Sequence, residues 1–130
     1  MDFMSRLVDK INTINDLPVE MKKGYLTELE SLVIYPLPGS RVTAEFHDGT
    51  KDVDLNFEIA MKSQSSQNIS GVLWVIQNEI ETLTDIQSQD DSFHFESILI
   101  TNKPYINQVD EKNLFVFLLD FSAKITIFKQ

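Results

Sequence analysis

Cysteine is absent from the sequence, which excludes disulfides, thiol catalysis and cysteine-based zinc sites. Glycines number four and are scattered, so no glycine-rich loop can cradle a phosphate. No G-x-S-x-G nucleophile motif occurs. The two histidines, His47 and His94, do not fall at H-x-H or H-x-x-x-H spacing. Basic residues are also scarce: eleven Lys and Arg face twenty Asp and Glu, a net charge of −9 at pH 7. That balance argues against a protein that grips nucleic acid, because neutralising phosphates takes clustered cations. It equally disfavours attachment to anionic lipid. No apolar run approaches the roughly 18 residues of a membrane span. The start, Met1-Asp2-Phe3-Met4-Ser5-Arg6, lacks a cationic stretch followed by an apolar one, so no signal peptide is expected. These absences predict an acidic cytoplasmic protein with no cofactor and no metal.

What is present is ordinary globular material: 130 residues, 42% hydrophobic and 24% charged. That is one domain's worth of chain, 1–130, able to bury roughly two thirds of its unfolded surface. The charge is unevenly placed. Residues 64–112 hold eight acids and two bases, and the six acids from Glu79 to Glu96 have no Lys or Arg among them. Either this is a solubilising surface, or it is an acidic patch meeting a basic partner or lining a passage for another polyanion.

Hydrophobic periodicity orders the elements. Phe3, Leu7, Ile11 and Ile14 recur at helical spacing and predict an amphipathic helix. Asn15-Asp16 and Pro18 stop it and suit the start of a second, less regular helix to Glu30, weakened by Gly24. The N-terminal helical segment is therefore placed at 1–30. Leu32-Val33-Ile34-Tyr35 reads as extended, with Pro36 and Pro38 fitting an edge strand or loop.

Over 41–63, Val42, Ala44 and Phe46 alternate with polar residues, Asp48-Gly49 supplies a tight turn, and Val53, Leu55, Phe57, Ile59 and Met61 alternate again. This predicts a β-hairpin. A helix over 67–84 carries an apolar stripe of Ile69, Val72, Leu73, Ile76, Ile80 and Leu83. C-terminal strands fill 93–129. The first ends near Thr101 at Asn102-Lys103-Pro104, and a loop then runs to Asn113. The second, from Phe115 to Ile127, is long enough to expect a bend or bulge. The fold class is α+β: two layers, a mixed or antiparallel sheet with helices packed on it, in the order α(α)βββαββ.

Candidate chemistry is thin. His47 and His94 read as exposed strand residues. Asp52, Asp54, Asn56 and Glu58 resemble a calcium ladder, but alternation assigns them to the solvent face of a strand. No catalytic residues are identified, and an enzyme is not expected. Trp74 stands apart, off the apolar stripe of its helix and flanked by Ser70, Gln77 and Asn78. Either a neighbouring segment wraps over it, or it anchors a protein–protein contact. The interface candidates are Trp74, the acidic loop with Asp85, Asp90 and Asp91, and the hairpin tip at Asp48 and Gly49.

The segment order carries a resemblance. Tyr35-Pro36-Leu37-Pro38-Gly39-Ser40 precedes Phe46-His47-Asp48-Gly49-Thr50 and Ile59-Ala60-Met61-Lys62-Ser63. Leu73-Trp74-Val75-Ile76-Gln77-Asn78, Phe93-His94-Phe95 and Leu118-Leu119-Asp120-Phe121 then follow. From Tyr25 to Phe128 the chain resembles the minor capsid or tail-terminator proteins of long-tailed phages and prophages of Gram-positive bacteria. Those are similar in fold to the tail terminator of phage lambda. The resemblance implies a virion structural protein assembled in the host cytoplasm and residing in the tail. It implies a hexameric ring that caps the tail tube and docks to the head–tail connector protein, with genome DNA passing through its lumen. Its partners would be its own copies, the tail tube protein and the connector, with no sequence-specific nucleic acid and no membrane. The competing reading is an acidic immunity protein or antitoxin that neutralises a basic toxin by electrostatic complementarity.

Trp74→Ala separates the two roles of the tryptophan. As an interface anchor its loss weakens assembly, read by light scattering, and leaves thermal unfolding nearly unchanged. Loss of folding would instead make it core.

Overall fold

The computed structural model describes residues 3–14, 20–26, 31–63, 66–83, 86, 92–109 and 115–128. Its elements are α1 (Phe3–Asn12), β1 (Met21–Lys23), β2 (Ser31–Pro36), β3 (Arg41–Glu45), β4 (Lys51–Ser63), α2 (Ser66–Glu81), β5 (Phe93–Val109) and β6 (Phe115–Ile127). The six strands make one mixed sheet in the order β1-β2-β4-β6-β5, with β3 added to β4. Both helices pack on the same core, so the α+β two-layer architecture holds.

The centre of the sheet is the antiparallel pair β4 and β6, in register from Lys51↔Ile127 to Ser63↔Phe115 with no slip. Alternation then sorts the side chains. Phe57, Ile59, Leu119, Phe121, Ala123 and Ile125 are all buried on the helix side. The cross-strand pair Phe57 and Phe121 stacks with ring centroids 5.5 Å apart. Phe3, Leu7 and Ile11 of α1 and Leu73, Ile76 and Ile80 of α2 close over this layer, all fully buried. Phe3 is the hub, its ring 5.7 Å from Phe57, 5.3 Å from Phe93 and 6.5 Å from Phe95. Edge-to-face and offset rings in this range add attraction beyond the burial itself.

Three expectations change. The second N-terminal helix expected over 18–30 is not seen in its described part, 20–26: Met21–Lys23 is a strand, parallel to β2 with Met21↔Leu32 and Lys23↔Ile34. The Asn12 amide at the end of α1 fixes its start, donating to the Met21 carbonyl at 3.1 Å and accepting from its N–H at 2.9 Å. Gly24 then turns the chain at φ 125, outside any helix, and donates its N–H to the Ile34 carbonyl at 3.0 Å. Residues 15–19 and 27–30 lie outside the described ones.

Second, the loop expected over 102–113 is strand as far as Val109. Register shifts between Ile100 and Asn102 and between Asn102 and Tyr105 carry β5 past the proline. Bulges admit a proline where the ladder does not need its N–H. Third, the irregularity expected in the last strand sits in β5, whereas β6 pairs with β4 unbroken.

Phe3→Ala should lower stability by about 3–5 kcal/mol, because a large cavity opens among packed rings. Urea unfolding followed by fluorescence checks this. A loss under about 1 kcal/mol would mean that α1 is not part of the cooperative fold.

Candidate functional site

Among the described residues no helix lies on the second face of the sheet, and its middle is a polar row running across four strands. Register aligns Tyr35 of β2 with Glu58 of β4, Glu58 with Asp120 of β6, and Asp120 with Asn102 of β5. The Tyr35 hydroxyl donates to Glu58 Oε1. The Asn102 amide donates to Asp120 Oδ2 at 2.8 Å, and the Tyr105 hydroxyl to the same oxygen at 3.4 Å. Glu58 and Asp120 are both buried. Alternation along β4 assigns Glu58 to a solvent face, and its burial is a correction. Burial comes from neighbours on other strands, the tyrosines at either end and a small apolar cluster of Val33, Ala60, Val116 and Leu118 beside them.

Two buried carboxyls facing each other cannot both ionise cheaply. Burial first, and the hydrogen bond shared with Asp120 second, push the Glu58 carboxyl up to about 7, against the opposing pull of the Tyr35 hydroxyl. Asp120 Oδ1 is buried and receives no N–H or hydroxyl donor. A protonated Glu58 would supply a donor to that oxygen. Burial and the bond to Glu58 push the Tyr35 phenol up as well, and burial with the Asp120 charge raises Tyr105. The row ties β2, β4, β6 and β5 side by side, and its Glu58 carboxyl takes up a proton as pH falls through about 7.

Further along the same face the remaining acids of β4 each have a separate partner. Asp54 lies 3.7 Å from the Arg41 guanidinium, and Asp52 Oδ1 accepts from the Thr126 hydroxyl at 2.8 Å. Among the described residues no three His, Asp or Glu side chains gather to hold a metal. His47 and His94 are exposed.

The interface candidates fall as follows. Trp74 is exposed on α2, and no segment among the described residues wraps over it. Asp48 and Gly49 form the β3–β4 tip, where Gly49 sits at φ 89 and donates to the Phe46 carbonyl at 3.0 Å. Asp48 Oδ1 accepts from the Thr50 N–H at 3.0 Å and its hydroxyl at 2.7 Å, which hold that carboxyl below its usual range. The tip is thus internally braced. Asp85, Asp90 and Asp91 lie outside the described residues. Sequence reasoning missed the Glu58–Asp120 pair. The one local signal is an aspartate set inside the apolar run from Phe115 to Phe121.

The family model described as bacteriophage tail terminator protein matches residues 7–127. No curated protein matches the chain.

A carboxyl raised on folding binds its proton more tightly in the native state, so its contribution to stability is complete below pH 4.5 and is lost as pH rises to about 7. Compared with Glu58→Gln, which cannot titrate, the natural protein should lose relative stability across that window and level off above it. Thermal unfolding at a series of pH values measures the difference. Parallel curves for the two proteins would contradict the raised Glu58 carboxyl.

Proposed function

Because the chain belongs to the bacteriophage tail terminator family, we propose that six copies close into a ring that caps the finished tail tube, stops its growth and docks to the connector of the head. The family itself is a structural one, and membership makes the chain a component of the phage tail. The match over 7–127, which spans the fold from α1 to β6, is the observation that carries the reading. It favours a tail role over the immunity-protein alternative.

Several features of the fold support the finer proposal. The sheet ends in unlike edges, β1 and β3 on one side and β5 on the other. Unlike edges suit head-to-tail contacts, which close into rings, better than a two-fold dimer. The excess of acid, −9 over the chain, keeps a polyanion from adhering, as a lumen crossed by DNA requires. Trp74 and the braced tip at Asp48 and Gly49 are the proposed contacts with neighbouring copies or with the tube, and Asp85, Asp90 and Asp91 are proposed to meet either the lumen or a neighbouring copy. Assembly takes place in the host cytoplasm and the product resides in the virion tail.

Size exclusion with light scattering, with and without magnesium, tests the ring. The expected species has six times the 15.0 kDa chain mass, present at once or growing with concentration. A monomer at every concentration that binds a basic nuclease tightly would overturn the reading.

A further inference from the structure

The sequence holds one Asp-Gly step, Asp48-Gly49, and no Asn-Gly step. An aspartate followed by glycine is prone to rearrange, because no side chain shields the glycine nitrogen. That nitrogen attacks Cγ of the aspartate and forms an N–Cγ bond. One carboxyl oxygen leaves as water, taking the acid proton and the amide proton. Water then opens the five-membered imide at the former main-chain carbonyl, and the chain continues through the side chain as isoaspartate. One water is lost and one regained, so the mass is unchanged.

The β3–β4 tip needs both residues of this step. Gly49 sits at φ 89, in the left-handed region that favours glycine. Asp48 Oδ1 ties the turn to Thr50, accepting its N–H at 3.0 Å and its hydroxyl at 2.7 Å. Asp48 is exposed to solvent, so burial does not protect it.

The contacts that build the turn oppose the rearrangement at both reacting atoms. Attack needs the neutral carboxyl, since a carboxylate is a poor electrophile and has no proton to carry its oxygen away. Two donors on Oδ1 favour the carboxylate and hold this group below its usual range. The attacking nitrogen is engaged as well, its N–H donated to the Phe46 carbonyl at 3.0 Å. The Phe46 N–H in turn donates to the Thr50 carbonyl at 2.9 Å and closes the turn behind it. Bringing the Gly49 nitrogen onto Cγ therefore costs bonds on both sides of the step. We propose that Asp48-Gly49 is the isomerisation site of this chain and that Thr50 guards it in the folded state. The proposal is independent of the ring reading.

Trypsin releases the tip as one peptide, Val42 to Lys51, in which isoaspartate shows as a second chromatographic peak of equal mass. The natural chain, Thr50→Ser and Thr50→Val are incubated folded, and the natural chain also unfolded in guanidinium chloride. The folded natural chain should accumulate the second peak several-fold more slowly than the unfolded one. Thr50→Val keeps the N–H but loses the hydroxyl, and should react several-fold faster than the natural chain while still folded, as thermal unfolding checks. Thr50→Ser keeps both donors and should match the natural chain. Equal rates in the folded and unfolded natural chain would overturn the proposal, as would no second peak even when unfolded. A Thr50→Val chain as slow as the natural one would overturn the role of Thr50.

Discussion

The pairing of β4 with β6 is the constraint on which the rest of the molecule depends. From Lys51↔Ile127 to Ser63↔Phe115 the two strands run antiparallel without a slipped residue. In a sheet with one buried face, a shift of one residue would turn every side chain to the wrong side. The same register that stacks Phe57 on Phe121 beneath the helices sets Glu58 against Asp120 on the opposite face. Core and polar row are two readings of one ladder. A change that weakens either is felt by the other, since every residue of these strands faces one side or the other.

From that ladder the two faces diverge in character. On one, α1 and α2 deliver fully buried apolar side chains onto aromatic rings, and hydrophobic burial dominates. On the other, side-chain hydrogen bonds join β2 to β4 and β5 to β6, with tyrosines and an asparagine at the ends. Nothing in this row resembles a reaction centre. Ionising Glu58 puts a second charge beside Asp120 where the fold has little to offset it, which is why its carboxyl is pushed up to about 7. A tail terminator is a protein of surfaces, and the fold spends its regular structure on holding those surfaces in fixed relation.

Local pattern carried most of the architecture. Strict alternation around Asp48-Gly49 places β3 and β4, and the stripes of α1 and α2 include Phe3, Leu7, Ile11, Leu73, Ile76 and Ile80, which are fully buried. Trp74 is legible as an outlier because a helical stripe has a definite opposite side. What was not legible is non-local. Strand β1 is three residues long, and the Asn12 amide and the edge of β2 define it, neither visible from its own sequence. Strand β5 passes Pro104 because bulges against β6 absorb it. The burial of Glu58 follows from what faces it on β2 and β6, and alternation along β4 alone reports only that it points away from the helices.

The proposed ring acts by shape, at one end of a tube. The most direct measurement is negative-stain electron microscopy of tubes polymerised from the tail tube protein of the same phage, with and without the purified chain. A cap at one end only is expected, on tubes that stop lengthening once capped. Chains decorating the tube along its length, or tubes that grow equally with and without the protein, would contradict it.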